Sequence, residues 1–369
     1  MRISLLFVTL IQVQLVTAQH AATHLKDRLP FRTSIGNKVI LHLYLTDTVV
    51  QYTHKKARAI AINGSIPGPT LQFTEGDTAE IHVHNEMHME SSIHWHGLIL
   101  PNEQDGVPYL TTAPIKAGGV HVYRFPIVQS GTYWYHSHTM LQEQSGMYGA
   151  FVIHPKNTPV EKEQVVLLSD WTNENPHQVE RSLHFATDWY AIKKKATQNY
   201  AEAIREKQLG TKLENEWKRM MAMDVSDVYY DLFTTNGKPA DYRSDLQKGD
   251  TIRLRVINGS ASTYFWLQFA GGKIWVVGTD GQPVEPVEVD RLIVGVSETY
   301  DLKVVLPDSG SYEFRATSED RTNHTSSWLG KGTAHPANGL ARLHYFAGMK
   351  MMNDMTNPDG SLHDMGMNM

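Results

Sequence analysis

Short runs of partly alternating apolar and polar residues fill the chain from Pro30 to about Pro155. Val39-Ile40-Leu41-His42-Leu43-Tyr44-Leu45 and Ala79-Glu80-Ile81-His82-Val83-His84 read as strands with one buried face. Gly64, Pro67-Gly68-Pro69, Gly76-Asp77, Asp105-Gly106 and Gly118-Gly119 punctuate them as turns. Closely spaced strands with no helix of core-forming length predict a β-sandwich or barrel. Residues 178–222 break the pattern, being rich in Ala, Lys, Glu, Gln and Leu and free of Pro. Leu183, Ala186 and Tyr190, then Leu209, Leu213, Trp217 and Met220, fall at helical spacing, which predicts two helical segments broken near Gly210. Strand patterning resumes at Val228 and runs to about Phe346.

The pattern occurs twice. Asn63-Gly64, Gly76-Asp77-Thr78 and Asn85 return as Asn236-Gly237, Gly249-Asp250-Thr251 and Asn258, at a constant offset of 173. Asp105-Gly106 and Asp280-Gly281 keep nearly that offset, as do Ser130-Gly131-Thr132-Tyr133 and Ser309-Gly310-Ser311-Tyr312. Two domains of one β fold, arising by duplication, account for this.

Within the first copy stand two His-x-His pairs, Ile93-His94-Trp95-His96-Gly97 and Tyr135-His136-Ser137-His138. Alternate strand residues share a face, so His94 projects with His96, and His136 with His138. Two strand steps span roughly 6.6 Å, wide for one metal but comfortable for two. Four imidazoles converging from two strands suit a polynuclear copper, zinc, iron or nickel site. The repeat supplies an internal control. At the 173 offset His94 and His96 fall on Leu267 and Phe269, and at the later offset His136 and His138 fall on Arg315 and Thr317. The fold itself therefore does not demand histidine, and the four are present together or absent together.

Composition narrows the chemistry. The 369 residues exceed one ordinary domain, and 41% hydrophobic with 20% charged residues describes a soluble globular protein. A net charge of −5 gives no reason to expect nucleic acid or an anionic membrane as partner. Residues 1–18 read as a secretory signal cleaved after Ala18: Arg2 precedes the apolar Ile3 to Leu10, and Val16-Thr17-Ala18 supplies small residues. That run is too short to span a bilayer. The chain has no cysteine, which excludes disulfides, thiolate nucleophiles, Fe–S clusters and a blue-copper centre.

These residues resemble a family. His94-Trp95-His96-Gly97 and Tyr135-His136-Ser137-His138, with Asn63-Gly64-Ser65-Ile66-Pro67-Gly68-Pro69-Thr70, look like the first domain of a multicopper oxidase of the periplasmic copper-resistance type. Leu167-Leu168-Ser169-Asp170-Trp171, Arg253-Leu254-Arg255-Val256-Ile257-Asn258-Gly259-Ser260 and the Met-rich end add to the similarity. The resemblance implies an all-β chain of two Greek-key cupredoxin-like β-sandwich domains, 30–157 and 158–347, with a helical insertion at about 178–222 in the second and a disordered Met-rich tail, 348–369. It implies a trinuclear copper cluster in which His94 ligates the type 2 ion and His96, His136 and His138 the type 3 pair. Asp105 matches an acidic residue that helps deliver protons to oxygen; as part of Asp105-Gly106 it is equally an ordinary turn residue. The departure is that no His-x-x-His-x-His or His-Cys-His motif follows, so the type 1 site and the other half of the ligands are absent. A separate chain or subunit carrying the last cupredoxin domain is then the expected partner.

Seven of the 15 methionines lie between Met349 and Met369. Thioether sulfur selects Cu(I), which makes Met349, Met351, Met352, Met355, His363, Met365, Met367 and Met369 weak Cu(I) ligands. Met87, His88 and Met89 are expected to form an exposed loop. His82 and His84 form a third His-x-His; the matching Arg255 and Ile257 place at least His82 at an edge or outward face, with a satisfied or solvated role. Two functions follow: a periplasmic oxidase part coupling Cu(I) or phenol-like donors to reduction of oxygen to water, or a copper-sequestering protein without turnover.

Overall fold

A computed structural model describes residues 28–159, 161–185, 188–218, 225–343 and 345. The signal segment 1–18 and the Met-rich tail with its eight expected Cu(I) ligands lie outside the described residues. In the strand Lys38–Val50, Val39, Leu41, Leu43 and Leu45 turn inward, as do Ala79, Ile81 and Val83 of Thr78–Asn85. These two strands pair in parallel, and Val120–Pro126 adds antiparallel on the other side. Arg32–Ile35 and Ala57–Ile62 both pair with the long strand to complete a five-stranded sheet. A four-stranded sheet faces it, ordered Leu71–Thr74, Tyr148–His154, Gly131–His136, His94–His96. Trp95, Tyr123, Tyr133, Tyr135, Phe73 and Phe151 fill the space between.

The second sandwich repeats this plan. Glu163–Trp171 pairs in parallel with Thr251–Asn258 in a six-stranded sheet, as Lys38–Val50 does with Thr78–Asn85. The opposing six-stranded sheet contains Ala240–Arg243, His324–Lys331, Gly310–Ser318 and Phe265–Phe269. The architecture is all-β and cupredoxin-like. Helices are confined to the insertion: Pro176–His184, Trp189–Lys193, Tyr200–Arg205 and Leu209–Trp217. Gly210 lies in the first turn of the last of these and not at a break, because Asn199 caps a separate short helix that ends before it. Among the described residues no helix is long and apolar enough to cross a membrane.

Duplication is visible in matched hydrogen bonds. Asn63 and Asn236 both adopt left-handed backbone, φ 53° and 52°, each followed by a positive-φ glycine. The Asn63 side chain accepts from Tyr44 N and donates to His42 O; Asn236 does the same with Leu167 N and Val165 O. The buried Asn85 amide donates to Met89, Ile115 and Lys116 carbonyls, and Asn258 to Thr263, Val294 and Gly295. Asn85 also accepts from Met87 N, and this bond turns Met87 into the core at 2% exposure. The expected exposed loop holds only for His88 and Met89.

The strand pairing corrects the gapless offset. His94 pairs with His136, and at the position matching His136, Arg315, the pairing partner is Gln268. His94 and His96 therefore correspond to Gln268 and Ala270. Leu267 and Phe269, the gapless matches, point into the second core. The second copy has one more residue between its buried asparagine and this strand, and a one-residue slip exchanges faces. Both copies still differ at all four histidine positions.

Candidate metal centre

The three-residue strand His94–His96 presents Trp95 to the core, fully buried, and both histidines to the outside. It pairs antiparallel with Gly131–His136, setting His94 opposite His136 and His96 opposite Trp134. Three imidazoles thus meet on one outer face. One nitrogen from each of His94, His96 and His136 lies within 4.8 Å of the others. The strand ends at His136, and His138 follows it on an exposed turn. Its ring centre is 5.7 Å from His94 and 6.0 Å from His136, so it borders the cluster without joining the inner three. The His138 N–H donates to Ser92 Oγ at 3.1 Å, which fixes the turn.

Surrounding groups decide which ring nitrogens are free. His94 Nδ1 lies 2.8 Å from the Asp105 carbonyl oxygen, which can only accept, so Nδ1 carries the proton and Nε2 the lone pair. The turn that brings Asp105 there needs Gly106: at φ 85°, a Cβ would stand 1.7 Å from the Ile93 carbonyl oxygen. The Asp105 carboxylate also reaches His94 Nδ1, at 3.3 Å, so it stands behind the ring and away from Nε2. His136 Nδ1 likewise donates to Ser137 O at 2.9 Å and Glu143 Oε2 at 2.8 Å. His136 Nε2 then faces His96 Nδ1 at 3.3 Å. Trp134 stacks behind His136 at 4.3 Å.

Burial, then the neighbouring His136 and His94, push His96 down to about 4. Burial lowers His94 as well, against the opposing pull of Asp105. Both rings are accordingly neutral at pH 7, as a metal ligand must be. Two imidazole nitrogens on one tetrahedral ion with bonds of ~2.0–2.1 Å stand roughly 3.3 Å apart. The His96–His136 separation therefore fits a shared ion, and an all-imidazole donor set suits copper.

Sequence reasoning missed Glu143 and Gln142. Glu143 is the only charged residue between Arg124 and Lys156, a signal that was available. Gln142 is buried in the loop after His138 and gathers Ser91 Oγ and Ser137 Oγ on its side-chain oxygen while donating to Glu90 O. Nothing in the pattern marks it. The His82–His84 strand is interior to its sheet and not an edge, with both rings outward.

Family models described as Multicopper oxidase match residues 45–158 and 162–334. The chain is similar to Copper resistance protein A of Escherichia coli, 39% identical over 310 residues, covering 81% of this chain and 50% of that one. It is 40% identical over 298 residues to Copper resistance protein A of Pseudomonas syringae pv. tomato, covering 78% and 49%. The chain spans about half the length of these relatives. A laccase from Botrytis aclada shares the fold, with a TM-score of 0.63 at 21% identity over 86% of this chain and 57% of that one.

Proposed function

The chain belongs to the multicopper oxidase family, of the copper-resistance type, and from that premise we propose that it carries one part of an oxygen-reducing copper centre. His94 holds the type 2 ion, and His96, His136 and His138 hold the type 3 pair. The observation that supports this most is the 3.3 Å approach of His96 Nδ1 to His136 Nε2, within a trio of imidazoles on one face. Copper bound there supplies the one-electron steps by which Cu(I) or a phenol-like donor reduces oxygen to water. The protein's own part is positional. Asp105 and Glu143 fix the tautomers of His94 and His136, Trp134 stacks behind His136, and the Asp105 carboxylate stands at the rim beside His94 Nδ1, placed to relay protons.

A further cupredoxin domain supplies the remaining ligands and a thiolate electron entry, and the setting is the periplasm. The all-imidazole donor set of the trio favours one alternative reading: sequestration of copper without turnover. The test is copper quantitation on the full chain, with oxygen uptake in the presence of Cu(I). Copper bound without intense blue colour, and lost in His94→Ala and His136→Ala, is the expected result. Unchanged copper in both variants overturns the site. Oxygen turnover by this chain alone overturns the need for another domain, and no turnover after a cysteine-bearing cupredoxin domain is added selects sequestration.

A further inference from the structure

Buried hydroxyls join the two histidine segments of the metal centre. The strand pair that carries the rings is short: it has three residue pairs and closes at His94 and His136. Past that point, among the described residues, every hydrogen bond between segments 90–93 and 137–142 uses a side chain. Gln142 is the bridge. Its side-chain oxygen accepts from Ser91 Oγ, three residues before His94, at 2.8 Å, and from Ser137 Oγ, between His136 and His138, at 2.9 Å. Its amide nitrogen donates to Glu90 O at 2.8 Å. Alongside, Ser92 Oγ accepts from His138 N and meets Thr139 Oγ1 at 2.8 Å, while Thr139 N donates to Ser137 Oγ. Ser91, Ser92, Ser137, Thr139 and Gln142 are each 5% exposed or less. We propose that Gln142 is a positioning residue for the copper centre: it clamps the two segments and sets how far the turn bearing His138 stands from the inner trio. This rests on the copper reading of that centre.

Three observations carry this. First, the acceptor is shared. One side-chain oxygen takes both hydroxyl protons, so the Ser91 and Ser137 segments cannot part without leaving a buried donor unpaired. Second, the next residue is Glu143, whose carboxylate accepts the Nδ1 proton of His136 at 2.8 Å. Holding Gln142 on Glu90, Ser91 and Ser137 therefore also holds the group that sets the His136 tautomer. His138 hangs on the same framework, its own N–H on Ser92 and its neighbour Ser137 on Gln142. Third, the second sandwich does without the bridge. Counted from the paired strands, Ser91 and Ser137 correspond to Phe265 and Ala316, both in the apolar core. The fold closes this corner with apolar side chains in the copy that lacks the histidines, so strand packing alone does not call for a buried amide there.

The experiment loads the full chain with Cu(II) and compares Gln142→Leu with Asn258→Ala, which weakens the second sandwich instead. Copper retention against a chelator and the paramagnetic resonance spectrum of the bound ion are read in both, with urea unfolding as the control for stability. Expected for Gln142→Leu are about 10-fold weaker retention, a changed spectrum and, without metal, shifted ring signals of His136 and His138. Asn258→Ala keeps the parent's retention and spectrum. Parent-like retention and spectrum in Gln142→Leu overturn the proposal, and so does an equal loss in Asn258→Ala, which assigns the effect to general destabilisation. If Gln142→Leu does not fold, Ser137→Ala, which removes one of the two donors, decides: an unchanged spectrum overturns the clamp. His136→Ala separates the two readings. Copper unchanged there sinks the centre and the clamp with it, whereas copper lost there and kept in Gln142→Leu sinks the clamp alone.

Discussion

On the outer face of matched strands, the first sandwich places His94, His96, Trp134 and His136, and the second places Gln268, Ala270, Glu313 and Arg315. The second set closes on itself. Arg315 pairs with Glu313, and although burial opposes it, that pairing with Ser326 Oγ and Ala337 N–H holds the Glu313 carboxyl below the usual range. The first set does the reverse. Backbone and carboxylate partners take up the Nδ1–H groups of His94 and His136 and leave their Nε2 lone pairs turned towards the cluster. Identical strand pairing thus yields a patch built on a buried ion pair in one copy and a face of converging imidazoles in the other. The proposed metal ion would fit the imidazole face and finds no such donor set at the matched positions of the second copy.

Four experiments break or sharpen this comparison. The largest effect belongs to the cores behind the two faces. Trp95→Ala should cost about 3–5 kcal/mol of stability in urea unfolding, and Phe269→Ala, at the matched position, a similar amount. A small loss at Trp95 alone would show that the strand holding the histidines is anchored elsewhere. Next, exchanging a face residue, His136→Arg as in the second copy, should weaken copper retention by more than about 100-fold, while Glu143→Gln weakens it about 10-fold. Retention equal to the parent after the first exchange would mean that the outer face does not hold the ion. Third, Asn85→Ala and Asn258→Ala remove the same three-carbonyl clamp, and each should cost about 1–3 kcal/mol. Clearly unequal losses would argue against structural equivalence of the copies.

The smallest effect is on pH. Unfolded histidine takes up a proton near pH 6.5, whereas burial keeps His96 neutral down to about 4 in the folded chain. Unfolding therefore binds a proton in that window. Metal-free stability should be full above pH 6.5 and decline as pH falls towards 4. His96→Ala, the residue of the second copy, should flatten that decline in thermal melts across the window. A decline of the same slope in the variant would assign it to other groups.

Much of the fold was legible because alternation and turn chemistry are local. Trp95 between two histidines, the Asn-Gly turns and the doubled Gly-Asp-Thr all carry their meaning within a few residues. The inner trio of the centre was legible for the same reason. What escaped depended on distant pairing. Glu143 and Gln142 act through a loop that folds back. The one-residue difference between the copies escaped because a gapless comparison cannot report which face a residue occupies.

Trp134 connects two parts of the molecule. It stacks on His136 and also belongs to the apolar seam, with Tyr148, Ala150, Leu167 and Ile257, that joins the sandwiches. Thr132, two residues earlier, receives Arg255 and donates to Asp301 across the same seam. Ring placement and sandwich docking therefore share a residue: a fluctuation that parts the sandwiches uncovers Trp134, the ring that stacks behind His136. Ligand exchange at His136 and hydrogen exchange at the seam amides then report the same event. An ion that stiffens the ring also slows breathing between the two halves of the chain.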